Sequence, residues 1–163
     1  MSKHAQDAAA RQSERADQLL SVRLGDQEFA LNIMDIREIR GWIASTPLPH
    51  APDYIRGMIN LRGQALAIVD LARRLGLPAS VPTPASVVVV VEWEEKTLGL
   101  LVDAVSDIIT VTDAMRQPTP DTGDATAPTY VESLVMIDQS IIGILSLSAV
   151  IPRPQMQLTF EDA

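Results

Sequence analysis

No cysteine occurs among the 163 residues, which removes disulfides, thiolate metal ligands and a cysteine nucleophile together. Histidine is almost as scarce. His4 lies in a polar N-terminal stretch and His50 in the loop-like "PLPHAP", so a histidine triad or metal site has little to draw on, and no G-x-S-x-G or phosphate-cradling glycine loop occurs. Phe, Trp and Tyr number two each and the net charge is -8, the opposite of the cationic, aromatic-bearing surface that nucleic acid requires. No apolar run approaches the roughly 20 residues of a membrane span. The opening "MSKHAQDAAARQSERADQ" has no apolar signal region. These absences describe a soluble, unexported, cytoplasmic protein with no cofactor, no nucleic-acid partner and no direct membrane insertion.

What is present is a strand-building composition. Hydrophobic residues make up 47% of the chain, enough for a real core, and Val, Ile and Leu supply it. Charge is unevenly spread: residues 1–18 carry three cations and three anions, 19–77 seven and six, 78–163 three and twelve. Such asymmetry favours oriented contact with protein partners, and equally suits a half kept soluble by acid.

Short alternating segments recur between turn signals. "LLSVRL" and "EFALNI" flank Gly25-Asp26, and "MINL" and "QALAIVDL" flank Arg62-Gly63, so both pairs read as hairpins. "LARRLGL" is a short helical piece, a Pro-rich segment follows, and "SVVVVVEW", "TLGLLVD" and "VSDIITV" resume the strands. Val87 to Val91 is too continuously apolar for a one-sided strand and is expected to be buried on both faces. The stretch "MRQPTPDTGDATAPT" reads as a loop, and "YVESLVMID" with "IIGILSL" as a last strand pair.

The chain also repeats itself. "FALNIMDIREI" from Phe29 lies without gaps on "LGLLVDAVSDI" from Leu98, and "YIRGMINLRGQALAIVDLARRL" from Tyr54 on "YVESLVMIDQSIIGILSLSAVI" from Tyr130. Each copy offers about five short strands, too few for a flat sheet to bury both faces. Two small β-barrels side by side are the expected solution. Where the first copy has Arg56, Gly57 and Arg62, the second has Glu132, Ser133 and Asp138. The scaffold therefore does not demand cations there, although Arg62 also fits as a solvated turn residue.

The segments "GDQEFALNIMDIREIRGW", "APDYIRGMINLRG", "AIVDL" and "LGLLVDAVSDI" resemble the signature segments of the CheW family, the coupling proteins of bacterial chemotaxis, over about Leu19 to Ile151. The resemblance implies an all-β fold of two five-stranded SH3-like barrels with short helical connections. It also implies no catalysis, and a scaffold at membrane-associated arrays joining the cytoplasmic tip of methyl-accepting chemoreceptors to the regulatory domain of a CheA-type histidine kinase. On matching positions, the receptor groove would use Ile36, Glu38, Gly57 and Ile108, with Arg62 at the receptor and kinase junction. Ala67 stands where the family usually has Pro, and Ser133 where the second copy often has Gly.

Domain boundaries follow: a tail over 1–18, a CheW-like domain over 19–151 and a second tail over 152–163. The first barrel would lie mainly in 28–75 and the second in 86–147, with ends open to exchange between them. The alternative is a small acidic hydrolase using Asp103 and Asp107, which the repeat disfavours because their counterparts are Met34 and Glu38.

Overall fold

The computed structural model describes residues 16–120 and 130–152. Within them the chain forms β1 (Ala16–Leu24), β2 (Gln27–Asn32), β3 (Ile36–Gly41), β4 (Ile55–Leu61), β5 (Gln64–Asp70), α1 (Leu71–Arg74), β6 (Val87–Trp93), β7 (Lys96–Val102), β8 (Ala104–Thr112), β9 (Val131–Ile137), β10 (Ser140–Leu145) and α2 (Leu147–Val150). Two five-stranded sheets result, ordered β8-β1-β2-β10-β9 and β3-β6-β7-β5-β4. The all-β expectation and the two units of five strands are both met.

Neither sheet is a continuous piece of chain. The opening hairpin of each half, β1-β2 or β6-β7, lies in the sheet built by the last three strands of the other half. Spans 28–75 and 86–147 therefore do not each trace one sheet, and the exchange of ends takes in a whole hairpin. The cause lies in the connections: a single 3-10 turn, Ile33–Asp35, carries the chain from β2 in one sheet to β3 in the other. Parallel pairing then welds the halves, with Ala30 opposite Ile144 in one sheet and Gly99 opposite Ile68 in the other. The duplication persists down to its irregularities. The β3/β6 bulge between Ile36 and Glu38 recurs in β1/β8 at Val105 and Asp107, and the β4/β5 bulge at Arg56 recurs in β9/β10 at Glu132.

Residues 1–15, 121–129 and 153–163 lie outside the described residues, and with them most of both expected tails. One correction is visible. Ala16, Asp17 and Gln18 are not tail but strand, paired with Thr112, Val111 and Thr110 of β8. Asp17 is held there by Arg116, whose Nη2 donates to its carboxylate at 2.8 Å.

Burial explains the valine run. Val88 and Val90 face one barrel interior with Ile59, Leu66, Ile68 and Leu101, whereas Val89 and Val91 face a core shared by both sheets. The second barrel interior holds Leu19, Ala30, Val111, Val135, Ile142 and Ile144. Strand β6 thus separates two apolar spaces, and alternation has no polar face left to show.

An isolated bridge closes each sheet. Thr46 and Met58 exchange two backbone hydrogen bonds of 2.8 Å, and Gln117 and Leu134 do the same at 2.7 and 2.8 Å. Gly57 lies under the first bridge at φ 148°, where a Cβ would strike the Thr46 carbonyl oxygen and lie 2.8 Å from its carbon. Its counterpart Ser133 has no positive φ, which is why that copy dispenses with glycine. Gly57→Ala is expected to cost about 2 kcal/mol or more through this clash and the strained φ, read as a lowered urea midpoint; an unchanged midpoint would show that the bridge does not constrain β4.

Arg56 is also structural. Its Nη1 donates to Asp70 Oδ2 at 3.4 Å and to the Ser80 carbonyl at 3.2 Å, and its guanidinium lies 5.7 Å from the Trp42 ring centroid. Asp70 is 1% exposed and caps α1, and needs such a counter-charge. In the second copy Ser146 replaces the aspartate, so Glu132 can replace the arginine.

Candidate interaction site

The β4-β5 turn sets up the site. Arg62 and Gly63 both have positive φ, 51° and 86°, the left-handed pair of a tight hairpin, and Gly63 N–H donates to Asn60 Oδ1 at 2.7 Å. The turn aims Arg62 at β3. There its Nη2 donates to Glu38 Oε1 at 2.8 Å and its Nη1 to Oε2 at 3.4 Å, a two-pronged contact. Glu38 and Arg62, assigned separately from the sequence to groove and junction, are one fork. The arginine keeps 70% of its side chain exposed while Glu38 keeps 26%, so the outer N–H groups remain free for an external acceptor.

The fork holds the Glu38 carboxyl below its usual range, chiefly through the Arg62 hydrogen bond, with the charges of Arg62, Arg40 and Arg37 adding to it. Partial burial pushes the nearby Asp35 carboxyl up. For a depressed acid, the stabilising contact is complete above the ordinary glutamate range and is lost as pH falls through the lower folded value. A Glu38 side-chain NMR titration should therefore show a midpoint below that of an exposed glutamate, restored upward in Arg62→Ala. Identical midpoints in the two proteins would mean that the fork does not form in solution.

The apolar candidates lie on the inter-sheet side, whereas Glu38, opposite Val90 of the barrel interior, lies on the other face of β3. Ile108, on the edge strand β8, is 55% exposed. It stands opposite Leu20, and its repeat counterpart Ile39, on the edge strand β3, stands opposite Val89 and is 48% exposed. Directly opposed residues share a sheet face. Leu20 and Val89 both belong to the shared core, so Ile39 and Ile108 project on the inter-sheet side, where that core gives way to solvent. Ile36 is half-buried and packs against the core margin. Ile39 was missed in the sequence, although the alignment that pairs it with Ile108 signals it. Met34, the most exposed large apolar residue named in this region at 85%, sits on the adjoining 3-10 turn.

A family model described as "CheW-like domain" matches residues 18–155, which spans every strand just described apart from the first residues of β1. The chain belongs to the CheW family. It is 44% identical over 151 residues to the chemotaxis protein CheW of Rhizobium meliloti (strain 1021), covering 93% of this chain and 97% of that one. A probable chemotaxis protein CheW of Rhizobium etli is 45% identical over 140 residues, or 86% and 90% of the two chains. Among solved structures, the scaffolding protein TtCheW of Thermoanaerobacter tengcongensis superposes with a TM-score of 0.75 at 27% identity, covering 84% of this chain and 88% of that one.

Members of the CheW family are scaffolds, and this chain is not an enzyme. The two carboxylates weighed for hydrolysis have structural tasks: Asp103 Oδ2 accepts the Gly25 N–H at 2.7 Å and Asp107 Oδ1 accepts the Ile108 N–H at 2.8 Å. Among the described residues no group of His, Asp and Glu is arranged to hold a metal ion, and no helix is long and apolar enough to cross a membrane. Gly57, given a groove contact from the resemblance, is buried and shaped by the closing bridge. A further arginine went unnoticed in the sequence: Arg116 reaches Asp17, Asp113 and Glu132 at 2.8, 3.8 and 3.6 Å. Only Asp113, three residues earlier, is a local partner; Asp17 is 99 residues away, and no local pattern marks that contact.

Proposed function

We propose that this chain is the cytoplasmic adaptor of a chemosensory array, coupling the cytoplasmic tip of methyl-accepting chemoreceptors to the regulatory domain of a CheA-type histidine kinase. The observation that carries the reading is the equivalent exposure of Ile39 and Ile108 on the inter-sheet side of two edge strands, a paired apolar surface with no partner inside the described fold. An exposed apolar pair suits a helical tip that presents leucine-like side chains, and the fork, which belongs to the other face of β3, offers a carboxylate-binding arginine to a second partner. Ile36, Glu38 and Ile108 would meet the receptor, Arg62 would stand at the junction with the kinase, and Gly57 would act by holding β4 in place.

Co-sedimentation with receptor-bearing membranes and kinase tests this directly. Ile108→Lys should remove most of the receptor-dependent pelleting while leaving the melting temperature within about 2 °C of the parent, because a half-exposed residue contributes little to stability. Unchanged pelleting with a folded variant would refute the groove, and a large fall in melting temperature would assign Ile108 to the core.

A further inference from the structure

A cavity of about 610 Å³ opens where the β1-β2 turn of one sheet meets the segment that links α1 to β6 in the other. Leu24, Ala72, Leu77 and Val81 supply its apolar lining, and Val81 is left 79% exposed. Its charged residues are Asp26 and Asp103 alone; no lysine, arginine or histidine lines it. Asp103 Oδ2 accepts the Gly25 N–H at 2.7 Å, which leaves Oδ1 without a partner among the described residues, and the Asp26 carboxylate has none there at all. Arg23, next to Leu24 on β1, stands opposite Glu28 and pairs with neither aspartate. Ser80 adds an independent sign. It is 8% exposed, its N–H donates to Asp70 Oδ2 at 3.0 Å and its carbonyl accepts from Arg56 at 3.2 Å, yet its Oγ meets no partner. A buried hydroxyl normally has one. Both backbone groups are engaged inside the protein, so the hydroxyl is the polar group that Ser80 brings to the cavity lining. The repeat-related place, between the β6-β7 turn and α2, differs. There the cavity is about 330 Å³, Lys96 lines it beside Glu94, and Met34 stands in the place of Asp103. The uncompensated acid is confined to one end.

We propose that this cavity binds an ammonium group carried on an apolar chain, its stem against Leu24, Leu77 and Val81 and its head at Asp26 and Asp103. The site is separate from the exposed isoleucines and from the fork. Its occupant follows from charge complementarity: two carboxylates without a counter-cation, beside an apolar wall, attract a cation that brings apolar surface of its own. The shape of the head follows from the acceptors. With Oδ2 already engaged, Asp103 cannot grip a guanidinium with both oxygens, whereas an ammonium has three independently directed N–H donors for Asp103 Oδ1, Asp26 and Ser80 Oγ. A free alkylamine and the lysine side chain of a partner share this chemistry.

Chemical-shift titration of isotope-labelled protein with n-hexylammonium tests it. The Gly25 and Asp26 amides and the Leu24, Leu77 and Val81 methyls should shift together, with a dissociation constant of about a millimolar for so small a ligand. Hexanol, with the same chain and no charge, should bind about tenfold more weakly. Asp26→Asn lies on an exposed turn and Asp103→Asn keeps an oxygen for the Gly25 N–H, so both variants should fold. Each should weaken the ammonium severalfold while leaving hexanol unchanged. The peptide acetyl-Leu-Lys-Leu-amide represents the second source: whichever of peptide and amine binds more tightly identifies the preferred one, provided that both lose affinity in Asp103→Asn. Equal affinity for hexylammonium and hexanol, no loss in either asparagine variant, or shifts confined to Ile39 and Ile108 would overturn the site.

Discussion

Val89→Asp is expected to abolish cooperative thermal unfolding. Val89 has no exposed surface and lies in the shared core, opposite Ile39 on one side and Leu100 on the other. A carboxylate there has no cation within its apolar surroundings, and leaving such a charge unpaired costs of order 3 to 5 kcal/mol. Domains of this size have roughly 5 to 15 kcal/mol in all. Because the residue touches the interface between both sheets, the loss falls on the whole fold. Near-ultraviolet circular dichroism and calorimetry would read it, and Val87→Asp at the half-buried end of the same strand is the milder control. A retained sharp transition in Val89→Asp would show that β6 is accessible.

The second large effect concerns function with the fold intact. In the free protein the Arg62–Glu38 fork is exposed and screened by solvent, and breaking it should leave stability nearly unchanged. Arg62→Glu does more at an interface, setting a second carboxylate beside Glu38 and turning an attraction for an external acid into repulsion. A desolvated contact would lose of order 2 to 5 kcal/mol, so kinase activation in reconstituted arrays should fall by at least tenfold. Arg62→Lys should retain part of the activity, since a point charge replaces the planar fork. Full activity in a folded Arg62→Glu variant, with Asp138→Lys damaging instead, would move the functional surface to the other sheet.

Local features were legible. Gly25-Asp26 and Arg62-Gly63 announced their hairpins, the valine run announced a strand buried on both faces, and the gapless repeat announced two equivalent units. The exchange of hairpins was not legible, because the two copies present the same alternation and β1-β2 reads alike whichever sheet receives it. Ala16 to Gln18 look like tail because the partner of Asp17 is Arg116, almost a hundred residues away. The role of Gly57 likewise depends on a backbone oxygen contributed by another segment. For the site, Glu38 and Arg62 were both found, but their union requires β3 and the β4-β5 turn to be neighbours, which only the folded sheet specifies.

The interlocked hairpins also set a timetable for the protein's birth. β1 and β2 are made first, yet their neighbours are β8 and β10, so the first sheet has no complete partner set until synthesis reaches about Leu145. At ribosomal speeds of about 5 to 20 residues per second, the nascent hairpin waits on the order of ten seconds with its strand edges unpaired. Pairings this distant along the chain also make folding slow once synthesis ends. Production of the protein should accordingly depend on holding chaperones at the ribosome more than its modest length suggests, and its aggregation-prone species should be the N-terminal half alone.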